Sequence, residues 1–348
     1  MALSEDIKKK LQFLSTVYQQ LQDVKNAPTL LDYKYNIAAV LFNEGTQVVI
    51  SAARNDLPES FNGVFPPTEE IGDSGTTIHA EILCLDGAKA LVEGASIMVT
   101  DPLCPNCMKS VIAAGVKKIY ITEDGFTQGN WYNSADENGV ERQRYFDDVS
   151  LKLAAYAGVQ VCKIGGKGGE DVSCDIIQPQ EKPPMSKARV EEYDAGTLSA
   201  MVCNAQDRGR PYAVAIANGP KQRRYIVMAS ESYVPGMSDE KAQNIREHFK
   251  DVPGGLRYRL KVDALSSILS ACAYFGFSLS GEQVYISEIP TSRCIVNAIG
   301  AGVKHFGLAH KEALSQKSKY ALDAFYKLET HGIVKASVIN DIPAFLEN

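Results

Sequence analysis

The stretch TTIHAEILCLDGAKALVEGASIMVTDPLCPNCMKSVIAAGVKKIYIT, residues 76–122, decides the fold. It reads as a helix over about 79–92 closed by Gly94 and a buried strand over 95–100 stopped by Asp101-Pro102. A second helix follows over 105–114, then a strand over 116–122. Strands that alternate with helices argue for parallel pairing in a sheet covered on both faces. His79-Ala80-Glu81 and Cys104-Pro105-Asn106-Cys107 each stand where one of these helices begins, a place where α/β folds build their sites. One imidazole and two thiols suit a tetrahedral zinc with its fourth position left open. Glu81, two residues from His79, can serve a water there without binding the metal.

Working toward the N-terminus, residues 4–25 read as an opening helix, capped by Ser4, with Leu11, Leu14, Val17, Tyr18 and Leu21 at helical spacing. Two strand-like runs, 35–42 and 47–53, join at Asn43-Glu44-Gly45, a hairpin signal with Gly45 available for positive φ. Asn55 lies just past the second run, where it can contact a substrate or simply turn the chain. Toward the C-terminus, residues 123–142 form a polar loop holding Trp131, the single tryptophan, beside Tyr132. Aromatics there can stack on a base or anchor the loop. A helix over 143–157 and a strand over 159–164 complete a first domain, 1–164.

Residues 165–192 are rich in Gly, Pro and mixed charge without periodicity, and read as a linker. Residues 193–348 then repeat the first domain. PYAVAIANGPKQRRYIVMASESYVP lies without a gap on the segment 177 positions earlier, placing Tyr212 on Tyr35 and Ser232 on Asn55. Further on, Asp263 falls on His79, Leu265 on Glu81, Thr291 on Cys104 and Cys294 on Cys107. A repeat of this length is a duplicated domain. Leucine in place of glutamate cannot move a proton, so the second copy reads as degenerate.

Net charge is −6 with no basic tail, which argues against broad nucleic-acid binding. Arg208, Arg210, Arg223, Arg224, Arg257, Arg259 and Lys261 nonetheless make loops of the second half locally basic. The start of the chain has no apolar targeting region, and no run is long enough to span a membrane. Eight cysteines in a chain of this size read as reduced thiols of a cytoplasmic protein.

H-x-E followed by C-x-x-C is the general signature of zinc nucleobase deaminases. Residues 30–164 resemble the cytidine and deoxycytidylate deaminase superfamily, with an echo in 210–340. CPNCMKSVIAAGV is most similar to deoxycytidylate deaminases; HAEIL is as similar to tRNA adenosine deaminases. The sequence departs from the pattern at Leu103, which separates Pro102 from the first cysteine. It departs again at Leu83, where deoxycytidylate deaminases carry Asn.

The resemblance implies a three-layer α/β/α cytidine-deaminase-like fold, duplicated, with a mixed five-stranded sheet in each half and the last strand parallel. It implies zinc on His79, Cys104 and Cys107, with Glu81 as proton shuttle while hydroxide attacks C4 of cytosine or C6 of adenine. Asn55 then contacts sugar or base, the Ala80 amide binds the pyrimidine carbonyl, and Trp131 and Tyr132 flank the base. The expected substrate is a small cytosine nucleoside or nucleotide, with tRNA a weaker alternative. The second half is expected to stand in for a neighbouring subunit, making one chain a pseudo-dimer that can assemble further. A regulatory scaffold that senses a nucleotide in the second half is the reading from outside enzymology.

Overall fold

Helix α1 (Glu5–Asn26) buries Leu14, Val17 and Leu21 on one face of a six-stranded sheet, each worth about 2 kcal/mol of apolar burial. The computed structural model describes residues 5–28, 35–88, 90–127, 130–136, 139–165, 173–178, 188–252, 255–309 and 319–347. The proposed cap Ser4 lies outside them. β1 (Ala38–Asn43) and β2 (Val48–Arg54) form the expected antiparallel hairpin. Its positive φ falls at Gln47 (53°) and not at Gly45. Asn43 explains this: its Oδ1 accepts from the Gly45 and Thr46 amides at 2.9 and 3.0 Å, so the side chain closes the turn and passes the left-handed residue on.

β3 (Ser96–Val99) runs antiparallel to β1, and β4 (Lys118–Thr122) and β5 (Gln160–Gly165) follow in parallel, as the alternation of strands and helices requires. A sixth strand, β6 (Ser173–Gln178), adds antiparallel to β5. The region read as a linker therefore extends the expected five-stranded sheet. Its far end, β7 (Arg189–Glu192), extends the other sheet. Strand edges offer unpaired backbone groups, and these polar segments supply partners without needing an apolar pattern.

Alternation along the strands sorts the two faces. Ala38, Val40, Phe42, Met98 and Tyr120 face α1. Ala39, Leu41, Ile97, Val99, Ile119 and Ile121 face the opposite way, toward α2 (Ala80–Asp86) and α3 (Pro105–Ala113). α2 is shorter than the periodicity suggested. Gly87 ends it, its N–H turning back to the Leu83 and Leu85 carbonyls. The helix before β5 is also irregular: α4 (Arg142–Tyr145) runs through a π turn, Phe146–Ser150, into α5 (Leu151–Ala157).

The second half has a similar strand order, with an additional helix after its hairpin. After α6 (Ala195–Asp207) come the hairpin β8 (Tyr212–Asn218) and β9 (Arg224–Ser230), α7 (Asp239–Glu247), α8 (Ala264–Phe275) and β10 (Gln283–Ile286). α9 (Ser292–Gly300), β11 (His305–Leu308), α10 (Lys319–Thr330), β12 (Lys335–Val338) and α11 (Ile342–Glu347) complete it. The first sheet runs β2-β1-β3-β4-β5-β6 and the second β12-β11-β10-β8-β9-β7, with Ser278–Leu279 added on β8. Each half has the three expected layers. One apolar cluster nevertheless joins the inner faces of both sheets through α2, α3, α8 and α9, so the halves share a core.

The gapless alignment of the two hairpins is corrected by their hydrogen bonds. Ala38 N donates to Thr100 Oγ1 at 3.0 Å, and Tyr212 N to Ser287 Oγ at 2.8 Å, so Tyr212 matches Ala38 and not Tyr35. Asn55 N donates to the Ile37 carbonyl and Glu231 N to the Pro211 carbonyl, both at 2.9 Å, so Glu231 and not Ser232 stands at Asn55. The turns differ in length, and a bulge between Leu41 and Phe42 has no counterpart in the second hairpin.

Where the helices of the two halves meet, Ile82, Leu85, Asp86, Ser110, Ser266, Leu269, Ser270 and Asn297 line a small gap. Asp86 Oδ2 and Asn297 Oδ1 are buried there without a hydrogen-bond partner. Burial pushes the Asp86 carboxyl from 3.8 up to about 7. The folded chain thus keeps a proton that the unfolded chain releases, and stability falls as pH rises from about 4 through 7. Asp86→Asn supplies a donor for Asn297 and carries no charge. Melting curves should show a gain in midpoint over wild type that is larger at pH 8.5 than at pH 5; equal gains would contradict the assignment.

Candidate active site

His79 is the N-cap of α2 and Cys104 the N-cap of α3, both with extended backbone. An N-cap residue projects its side chain beside the helix's unpaired amides, and two such helix starts brought together place three ligand atoms in one spot. His79 Nδ1 lies 3.2 Å from Cys107 Sγ and 3.7 Å from Cys104 Sγ, and Cys104 Sγ accepts from the Cys107 amide at 3.5 Å. All three ligand atoms lie within 4.8 Å of one another. A tetrahedron with bonds of about 2.0–2.3 Å has edges of roughly 3.3–3.8 Å, so this set fits zinc with little movement. It is the single such group among the described residues.

The thiols differ. The hydrogen bond from Cys107, aided by His79, holds Cys104 well below the usual thiol range, while burial raises Cys107. Glu81 sits in the first turn of α2, 3% exposed. Its Oε2 is buried without a hydrogen-bond partner. Burial pushes its carboxyl up to about 7, opposed by His79 and reinforced by Cys104 and Asp101. Three groups able to hold a metal thus lie at two helix starts, with the Glu81 carboxyl in the first turn of one of them and one of its oxygens without a partner.

Residues 12–123 match the family model described as the cytidine and deoxycytidylate deaminase zinc-binding region. This region is similar to that family, and the match spans about a third of the chain. A curated relative, described as an uncharacterized deaminase in the luxG 3′ region of Aliivibrio fischeri, is 33% identical over 85 residues. The match takes in 24% of this chain and 50% of the relative, so the chain spans about half the length of the curated relative it matches. Two crystal structures of the cyanophage S-TIM5 dCMP deaminase are similar over 35% of this chain. The form with dCMP and dUMP is 21% identical, with 84% of that chain covered and a TM-score of 0.23. The apo form is 19% identical, with 89% covered and a TM-score of 0.25.

Around the deaminase region's triad the other candidates fall differently. Ala80 is fully buried and opens α2, so its amide is among the helix donors with no partner inside the helix. Asn55 is buried, donates through Nδ2 to the Tyr35 carbonyl at 2.8 Å and accepts at Oδ1 from the Ile37 amide at 2.9 Å. Its amide fastens the entry to β1, the turn-making alternative raised for it. Trp131 is buried under Arg142, whose guanidinium lies 5.9 Å from its ring and donates to Tyr35 Oη at 2.7 Å and Ser134 Oγ at 2.9 Å. Tyr132 packs edge-on to Phe126 and Phe146 at 5.1 and 5.9 Å, contacts that anchor its loop.

Sequence reasoning missed the buried Asp101, whose charge is felt at Glu81, and Lys109, 5% exposed in α3. Lys109 Nζ donates to the Arg259 and Lys261 carbonyls at 2.5 and 3.0 Å, across the two halves. In return Arg293 donates to the Thr77 carbonyl, two residues before His79. Lys109 falls inside the quoted motif, but nothing local marks its distant partner.

The equivalent spot in the second half is closed by hydrogen bonds. Asp263 and Thr291 are again N-caps. Cys294 Sγ lies 3.0 Å from Asp263 Oδ2, 3.0 Å from Thr291 Oγ1 and 2.9 Å from Ser266 Oγ, and burial pushes its thiol up to about 12. Leu265 fills the glutamate position, 1% exposed.

Proposed function

We propose that this chain is a zinc-dependent hydrolytic deaminase of a nucleobase, acting on cytosine in a nucleoside or nucleotide. One observation carries the reading: a buried carboxyl, Glu81, with an unpartnered oxygen beside a thiol–thiol–imidazole set of the right size for zinc. When bound, zinc supplies a Lewis acid that brings the pKa of a water toward about 7. His79, Cys104 and Cys107 hold and orient it. Glu81 takes the proton of the attacking water, delivers it to the ring nitrogen and assists the departure of ammonia. The low-dielectric pocket that raises Glu81 matches its proton affinity to this exchange near neutral pH. The Ala80 amide is aimed at the pyrimidine carbonyl. Contacts of Asn55, Trp131 and Tyr132 with the sugar or base come to this reading from the family resemblance alone.

The catalytic domain on this reading is 1–164. Residues 193–348 are a degenerate copy that takes a subunit's place, supported by the shared strand order and the shared apolar core. Residence in the cytoplasm goes with it; all eight cysteines are free. Among the described residues no helix is long and apolar enough to cross a membrane. The test is ammonia release from cytidine, deoxycytidylate, cytosine, adenine, guanine and tRNA by zinc-loaded protein. Release from cytosine nucleosides or nucleotides is expected. Release only from tRNA, with inosine formed, would replace this reading by tRNA adenosine deamination.

A further inference from the structure

The segment that Lys109 grips lies against the helix that begins at Cys104 and carries Cys107. Residues 256–261 cross α3 with the Arg259 and Lys261 carbonyls tied to the buried Lys109 ammonium, two positions beyond Cys107. Lys261-Val262 pairs with Ser232-Tyr233, which fixes the segment from behind. Its neighbour Arg257 lies 3.5 Å from Asp136 Oδ2, an oxygen that also accepts from Tyr145 Oη at 2.9 Å. Between these anchors, the half-buried Tyr258 ring meets Tyr145 edge-on at 5.0 Å, and Tyr145 in turn stacks on Phe249 at 5.3 Å. Among the described residues the Tyr258 hydroxyl carries no hydrogen bond. Besides its burial, the groups that act on it electrostatically are Cys104 of the ligand triad, Arg257, Arg142 over the Trp131 ring, and Tyr145.

A tyrosine whose ring is clamped and whose hydroxyl is unspent, on a segment tied to the helix that carries Cys107, has the placement of a ligand contact. We propose that Tyr258, contributed by the second half and held in place by Lys109, is a specificity-determining wall of the first half's substrate pocket, donating its hydroxyl to a polar group of the substrate. Lys109 is a positioning residue: it touches no substrate and acts by fixing the backbone that carries Tyr258. The second half is then needed for recognition as well as for packing. This inference rests on the deaminase reading and adds to it a substrate contact from outside the family-matched region, residues 12–123.

The experiment uses full-length, zinc-loaded protein carrying Glu81→Gln, so that ligands bind without turnover. Cytidine, deoxycytidylate, cytosine and adenosine are titrated by calorimetry, and kcat and KM are measured in the Glu81 protein. Tyr258→Phe keeps the ring packing and removes only the donor. It should weaken the tightest ligand at least threefold and raise KM by a similar factor, with kcat changed less than twofold and zinc per chain unchanged. Lys109→Met should shift Kd and KM in the same direction; if it fails to fold, Tyr258→Phe still decides. A Tyr258→Phe protein that binds the whole panel as the parent does would overturn the proposal while leaving the deaminase reading intact. No binding by the parent together with no ammonia from the Glu81 protein would overturn both.

Discussion

A Glu81→Gln protein is expected to hold one zinc per chain and lose roughly 10²–10⁴-fold or more in kcat. The substitution keeps size and burial and removes only the ability to take and return a proton. Glu81 Oε2 makes no hydrogen bond in the protein, so no structural bond is broken. Burying a neutral amide in place of an ionisable carboxyl also removes a desolvation cost, so the melting temperature should hold or rise. Steady-state kinetics with metal analysis on the same preparation checks it. Full activity in the variant would remove Glu81 from the chemistry, and loss of zinc would make it a ligand.

The second large effect concerns the metal. Cys107→Ser should drop zinc to below a tenth of an equivalent and abolish turnover, because the thiolate contributes one of three protein ligands. Cys294→Ser, its counterpart in the second half, should leave zinc and activity unchanged. That thiol is pushed up to about 12 by burial and is held by Ser266, Thr291 and Asp263. Chelation of the wild-type protein should lower its melting temperature, since binding to the native state alone stabilises by about 4 kcal/mol at a thousandfold excess of metal over Kd. A second equivalent of zinc, lost in Cys294→Ser, would show that the second half binds metal.

The triad was legible in the sequence because its information is local. Two helix starts, each with its ligands at fixed spacing, need only a sheet to bring them together, and the alternation of strands and helices announces that sheet. The hairpin register was not legible, since one bulge at Leu41/Phe42 and unequal turns shift pairings that side-chain resemblance aligns without a gap. Asn43 took over the turn from Gly45 through its side chain, which composition does not reveal. β6 and β7 arise from polar segments whose only reason to be strands is an available sheet edge. The links from Lys109 to residues 259 and 261, and from Arg293 to Thr77, join positions about 150 and 216 apart. Periodicity carries nothing about such pairs. Yet the Arg293 bond ties the second half to the loop that bears His79, and the Lys109 bonds tie it to α3.

Ammonia released by the zinc-loaded chain from the panel of cytosine and adenine compounds tests the central claim most directly. The expected result is one ammonia per cytosine converted to uracil, for at least one nucleoside or nucleotide, and none with Glu81→Gln. No ammonia from any compound, by protein carrying one zinc per chain, would contradict the account.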